Sequence, residues 1–243
     1  MITKNQIKLI RSLRLKKNRI QSGIFIAEGE KIIDELLKCK FEVVNIFSTT
    51  DKYNFSDFFI PIKNAQLNQI SNLKTPNKVL GLFKIPINSK IDFNSNIIAL
   101  EEINDPGNLG AIIRLCDWYG IKNIICSLNS VDCYNPKVVQ SSMGSISRVN
   151  ISYMDFDILF NDKIHHCVAA DLNGDRLSDF MFSKNQIIFF GSESKGLSKK
   201  LSSKKENSSD QLRWPEKTYG VNLNQNIKMN FLGNFSLNAK YKH

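Results

Sequence analysis

The stretch NDPGNLGAIIRLCDWYG runs from Asn104 to Gly120 and opens a helix directly behind an apolar run, IIAL, Ile97 to Leu100. Asp105 followed by Pro106 is a strong helix start: a carboxylate that can cap the first turn, then a residue with φ preset and no N–H to satisfy. Gly107 and Gly110 leave that turn bare, so backbone or ligand can approach closely. Leu109, Ile112, Ile113 and Cys116 recur at helical spacing and can face a core. Asn108 and Arg114 are the polar residues left over. On spacing alone, an ordinary α/β crossover and a ligand-binding turn fit equally well.

A second stretch, IIFFGSESKGLS from Ile187 to Ser198, repeats the design: an apolar strand, then a glycine-flanked turn holding Glu193. Together the two segments resemble motifs one and two of the SpoU (TrmH-type) RNA 2′-O-ribose methyltransferases of the SPOUT class. The first family motif reads N-x-x-N-x-G-x-x-x-R, matched by Asn104, Asn108, Gly110 and Arg114. The second reads G-S-E-x-x-G-L, matched by Gly191, Ser192, Glu193, Gly196 and Leu197. Between them, SSMGSISRV (Ser141 to Val149) is similar to a family segment through Ser142, Gly144 and Arg148; packing of a helix end explains those residues as well.

From Ile97 onward strand and helix signals alternate, which predicts a mostly parallel sheet covered on both faces. The expected strands are Ile97–Leu100, Asn123–Ser127, Arg148–Ile151, His166–Ala170 and Ile187–Gly191. The expected helices are Gly107–Tyr119, Pro136–Met143, Asp155–Asn161 and Leu177–Phe182. No G-x-G-x-x-G follows a strand, which disfavours a dinucleotide fold, and no phosphate loop of the G-x-x-x-x-G-K-(S/T) type exists. His165 and His166 are adjacent, so on a strand they face opposite ways and do not jointly ligate a metal.

Residues 1–92 read as a smaller α/β unit, with helices over 3–19 and 29–38, strands at Glu42–Thr49, Phe58–Ile62 and Lys78–Pro86, and a short helix over 64–72. Its segment FIAEGEKIIDELL, Phe25 to Leu37, resembles the F-x-x-E-G-x-x-x-(I/V)-x-E signature of the substrate-binding domain that precedes many SpoU catalytic domains. A simple turn at Glu28 and Gly29 is the plainer alternative. The polar stretch Ile87 to Asn96 is the expected linker. Domain expectations are therefore 1–92 for RNA substrate binding and 93–243 for catalysis.

The charge is consistent with a polyanionic partner. The chain of 243 residues carries a formal net charge of +10, and Lys4, Lys8, Arg11, Arg14, Lys16, Lys17 and Arg19 crowd its first twenty residues. That crowd is either a solvated helix face, with Ile7, Ile10 and Leu13 packing beneath, or an arm that contacts phosphates. The five cysteines show no C-x-x-C pair, as expected of reduced structural thiols, and Cys116 falls on the apolar helix face. No apolar run is long enough to span a bilayer and the N-terminus has no leader-like core, so a cytoplasmic protein without a membrane association is expected.

The resemblance implies an α/β trefoil-knotted SPOUT catalytic domain behind a ribosomal-protein-like α/β domain. It implies S-adenosylmethionine (SAM) as methyl donor, no metal, RNA as partner and a homodimer. In such a reaction a ribose 2′-hydroxyl attacks the sulfonium methyl group in line. Catalytic roles carry over to Arg114, Asn108 and Glu193: Arg114 orients phosphate and hydroxyl, Asn108 fixes Arg114 and substrate, and Glu193 orients the loop or a substrate group. Gly191, Ser192, Gly196, Leu197, Leu237 and Asn238 fall on the cofactor side. Asn104, Glu28, Ser142 and Arg148 fall on the RNA side. Family analogy favours ribosomal over transfer RNA.

The tail departs from the pattern. Ser236, Leu237 and Asn238 match the third family motif, but its Ile-Pro pair is absent and the chain ends at His243. Residues 203–243 are accordingly expected to be divergent or truncated, by a changed third motif or an altered reading frame, leaving the knot incomplete. A catalytically degenerate RNA-binding relative with impaired SAM binding is the alternative function.

Overall fold

The computed structural model describes residues 2–87, 90–161, 166–171, 175–176, 185–192, 195–198 and 210–213. They fall into two compact units, one drawn from residues 2–87 with 132–147 and the other from the described residues of 90–131 and 148–213.

The first unit opens with α1 (Lys4–Ser12), held by a capping box in which Thr3 and Gln6 exchange hydrogen bonds. The single helix expected over 3–19 is broken: Leu15 is extended and starts α2 (Lys16–Ser22). The break has a long-range cause that periodicity does not carry. Arg19 is 2% exposed and donates from Nη1 to the carbonyls of Leu13 and Arg14 at 2.8 and 2.9 Å, satisfying groups that a helix end leaves open. Its Nε and Nη2 donate to Asp132 at 2.9 and 2.5 Å. Arg19 is thus removed from the basic crowd expected at the surface. Ile10 and Leu13 are buried and Ile7 packs against the same core, as the spacing predicts.

Next come β1 (Ile24–Glu28), α3 (Glu30–Lys38), β2 (Val43–Ser48), β3 (Phe59–Pro61), α4 (Asn64–Ile70) and β4 (Val79–Lys84). The sheet order is β1-β4-β2-β3, antiparallel except for the β2–β3 pair. Ile26, Phe47, Leu80 and Leu82 share one core with Leu67 and Ile70 of α4. Phe25 lies against Phe83, with ring centroids 5.9 Å apart. The segment 132–147 belongs to this unit. Its helix α6 (Pro136–Ser142) packs on β1, and the Tyr134 ring lies 4.8 Å from that of Phe25.

The second unit carries β5 (Ile97–Leu100), α5 (Pro106–Trp118), β6 (Asn123–Cys126), β7 (Asn150–Tyr153), α7 (Asp157–Asn161), β8 (His166–Asp171), β9 (Asp175–Arg176), β10 (Gln186–Phe190) and β11 (Asp210–Arg213). These form a parallel sheet in the order β7-β6-β5-β10-β8-β11-β9. On one face Ile97, Ala99, Ile125, Ile187 and Phe189 pack with Phe156 and Leu159. Alternate residues Ile98, Ile124 and Ile188 are equally buried, so both faces are covered, as an all-parallel sheet requires. β7 begins two residues later than the apolar pattern suggests. β11, with sequence DQLR, was not expected, since it has no apolar alternation; pairing with β8 supplies its backbone partners. The expected helix at Leu177–Phe182 and the third motif around Leu237 and Asn238 lie outside the described residues, and so does the segment that would close a knot.

Candidate functional site

Register places the two glycine-bearing loops together. Phe190 of β10 pairs with Leu100 of β5, and Leu100 pairs with Cys126 of β6, so the loops after all three strands leave the sheet at one edge. The chain steps from β5 to β6 and β7 on one side and places β10 and β8 on the other. Such a change of direction at the carboxyl ends of strands is where open α/β sheets bind ligands.

The loop after β5 is pinned from both neighbours. Glu101 N–H donates to Phe190 O at 2.8 Å. Glu102 N–H donates to Ser127 Oγ at 2.9 Å and Ile103 N–H to Ser130 Oγ at 3.2 Å. Asp105 then caps α5 as expected, accepting the Asn108 N–H at 2.8 Å.

The loop after β10 doubles back on itself. Ser192 and Gly196 exchange backbone hydrogen bonds at 3.1 and 2.9 Å, and Lys195 N–H donates to Ser192 Oγ at 3.2 Å. Gly196 takes φ +66°, and a Cβ on Gly191 would stand 1.9 Å from the Gly196 carbonyl carbon. Glycine at 191 is therefore a steric requirement of the turn. Leu197 packs partly into the core below. Glu101 joins the loops: its Oε2 accepts the Ser198 N–H at 2.7 Å. Sequence reading missed Glu101, Ser127 and Ser130; their signal, polar side chains immediately after buried strands, is visible but common.

The side chains singled out from sequence divide into distinct settings. Arg114 is exposed on α5 and makes no hydrogen bond or ion pair among the described residues. Asn104 is exposed and Asn108 half-buried. Six residues separate Asn108 from Arg114, about 240° around a helix, so the two do not meet on one face as i,i+3 or i,i+4 neighbours would. Arg148 grips Asp117 of α5 through Nε at 2.8 Å and Nη2 at 2.7 Å. Gly191, Ser192, Gly196 and Leu197 share the second loop. Glu193, Leu237 and Asn238 lie outside the described residues.

Two residues placed on the RNA side lie in the first unit. Ser142 is fully buried, its hydroxyl donating to Val139 O at 2.8 Å. Glu28 is 4% exposed and accepts from Ser71 Oγ, Asn72 N at 2.8 Å and Asn72 Nδ2 at 3.1 Å. Its carboxylate holds the start of the loop after α4. Cys116 is core, and burial raises its thiol far above the ordinary range, so no nucleophile resides there.

An adenosyl cofactor suits this edge. It needs backbone donors and acceptors, and Gly191 and Gly196 leave the backbone of this turn without side chains of their own at two positions.

Residues 95–212 match the SpoU rRNA Methylase family, and residues 4–81 match the MRM3-like substrate binding domain. The 23S rRNA (guanosine(2553)-2′-O)-methyltransferase RlmP of Bacillus subtilis is 26% identical over 206 residues, 80% of this chain and 82% of that protein. The mitochondrial rRNA methyltransferase 3 of Xenopus tropicalis is 26% identical over 173 residues, covering 63% of this chain but 41% of that longer protein. A TrmH-family structure from Porphyromonas gingivalis superposes with a TM-score of 0.84 at 26% identity, covering 97% of this chain and 98% of that one. The AdoMet complex of the SpoU methyltransferase AviRb from Streptomyces viridochromogenes superposes at 0.82 over 99% of this chain and 100% of that one. Its identity of 18% speaks to the fold alone. With matches across both halves of the chain and the two motif loops side by side on one sheet edge, the protein belongs to the SpoU (TrmH-type) methyltransferase family.

Proposed function

We propose that the protein is a SAM-dependent RNA 2′-O-ribose methyltransferase acting on ribosomal RNA. The observation that carries this reading is the shared exit of the loops after β5 and β10, tied by Glu101 to Ser198, with Arg114 exposed on the helix that follows the first loop.

Backbone around Gly191, Ser192, Gly196 and Leu197 would hold the cofactor, joined by Leu237 and Asn238 of the third motif. SAM supplies an electrophilic methyl group on its sulfonium. Arg114 binds the RNA phosphate next to the target ribose and aims the 2′-hydroxyl, work suited to a planar fork of donors that stays protonated. Positioning of this kind supplies much of the rate in a direct transfer. Asn108 and Asn104 contact substrate at the same edge, and the family role of Glu193 is to orient the loop or a substrate group. Arg148 acts on RNA indirectly, by bracing α5 through Asp117.

Residues 1–92 form the substrate-binding domain and 93–243 the catalytic domain in this reading. The protein works in the cytoplasm, as a homodimer if the C-terminal helix that builds the family's dimer interface is compensated. The test is transfer of labelled methyl from SAM to ribosomal RNA isolated from a strain deleted for the gene, with the site mapped by resistance to alkaline cleavage. Methylation of a single ribose is the expected result. Calorimetric binding of SAM without transfer to any ribosomal or transfer RNA would overturn the enzyme reading.

A further inference from the structure

The first unit contains a hollow of about 370 Å³ that none of the motif residues except Glu28 touches. Its apolar lining is Ile26, Leu73 and Pro136, and its polar lining includes Arg14, Asn72, Lys137 and Gln140. We propose that this hollow takes one unpaired nucleotide of the RNA substrate, with Arg14 and Lys137 on its phosphates and Asn72 and Gln140 on its base edge. The proposal rests on the reading of the protein as an RNA methyltransferase and adds how its first unit recognises RNA.

Size argues first. The volume lies at the small end of ligand pockets, which run from about 300 to 1,000 Å³. It suits a base with part of its backbone and excludes a duplex. Charge argues next. Two cationic side chains line the hollow, and Arg14 is already steadied by donating from Nη2 to Ser71 O at 3.0 Å, which leaves most of its donor fork for a phosphate. The one carboxylate in the lining, Glu28, accepts three hydrogen bonds from Ser71 and Asn72, so both its oxygens are engaged by protein donors.

Those same bonds set the chemistry that is read. Asn72 spends one Nδ2–H on Glu28 at 3.1 Å, so its Oδ1 acceptor and its second N–H donor are left for a ligand. An acceptor beside a donor at this place pairs with a base edge that itself offers a donor beside an acceptor. The Gln140 side chain makes no hydrogen bond among the described residues and adds a donor and an acceptor. Ile26, Leu73 and Pro136 give a base apolar contact, and the amides supply the edge hydrogen bonds by which unpaired RNA bases are read. Glu28 thereby becomes a positioning residue for recognition, acting through Asn72 rather than touching RNA.

The test uses the full-length protein without SAM and fluorescence anisotropy with two labelled RNAs: a hairpin with a seven-nucleotide loop, and a blunt duplex of the same stem. The hairpin is expected to bind at least about fivefold more tightly. Gln140→Ala and Asn72→Leu should each erase most of that preference while leaving duplex affinity unchanged. Because Asn72 also anchors Glu28, Gln140→Ala keeps the test sound if Asn72→Leu fails to fold. Arg14→Ala and Lys137→Ala should each lower the slope of log K against log salt by about 1. Equal binding of hairpin and duplex, or a preference untouched by Gln140→Ala, would overturn the proposal. So would competition by adenosine monophosphate at the concentrations at which the hairpin binds, which would mark a free-nucleotide site. Methyl transfer is read separately: transfer with no effect of the pocket variants refutes the pocket alone, and pocket-dependent binding with no transfer refutes the enzyme reading alone.

Discussion

Arg114 sits on a helix whose buried face is fully supplied by Leu109, Ile112, Ile113 and Cys116. Its guanidinium contributes nothing visible to packing, so removing it should cost activity and spare the fold. Arg114→Ala is expected to lower kcat by about 10²- to 10³-fold, with stability changed by no more than about 0.5 kcal/mol. Labelled-methyl kinetics beside a thermal melt check both. Gly191 behaves in the opposite way. A methyl there collides with the Gly196 backbone, and backbone cannot swing aside as a side-chain tip can. Gly191→Ala should raise the Kd for SAM by tenfold or more, at a stability cost of about 1–3 kcal/mol, read by calorimetry and a urea melt.

The buried thiols make a pH prediction at the same scale. Burial, reinforced by neighbouring Cys116, pushes the Cys126 thiol up to about 12 from its ordinary 9.0, and burial raises Cys167 to about 11. Below pH 9 these thiols are protonated in both folded and unfolded chains and contribute no pH dependence. Above it the unfolded chain releases protons that the folded chain retains, so stability falls as pH rises, by up to about 1.4 kcal/mol per pH unit for each thiol. Urea midpoints at pH 8 and pH 10.5 should show the loss, and Cys126→Ala should reduce its slope.

Among the elements, the two short helices at the N-terminus show where local reading stops. Charge and apolar spacing describe one helix from 3 to 19, and the amphipathic part of that reading is sound for Ile10 and Leu13. The break depends on Arg19 finding Asp132, 113 residues away, a partner no local pattern announces. Removing one member of a nearly buried pair leaves the other uncompensated. Arg19→Ala should therefore destabilise the first unit by about 3 kcal/mol, measured as a shift in its thermal midpoint. Glu101 is the corresponding tie in the second unit. Glu101→Gln keeps an oxygen that can accept the Ser198 N–H but removes its charge, whereas Glu101→Ala frees the loop. If the contact positions the cofactor turn, the alanine variant should raise KM for SAM at least about fivefold, and the glutamine variant should restore most of the loss. A merely structural role would instead lower thermal stability and leave KM unchanged.

Across the whole molecule, the core strands of the parallel sheet, the helix that carries Asn108 and Arg114 and the loop that carries Gly191 were legible in the chain, because a strand buried on both faces and a capped helix write themselves locally; β9 and β11 were not. The side-by-side placement of the two loops followed from the family resemblance and is borne by the β5–β10 register. Sequence alone could not tell the settings of Arg11, Arg14 and Arg19, which stand in one basic stretch. Arg11 donates from Nε to the Gln69 carbonyl, Arg14 lines a hollow, and Arg19 is buried in an ion pair. Nor could it show that residues 132–147 pack with the N-terminal sheet. The motifs pointed to RNA and the net charge of +10 agreed with it, because charge sums along a chain regardless of its path. Tertiary structure decided which charges can act, because hydrogen-bond partners far apart in sequence take some out of reach and steady others at a surface.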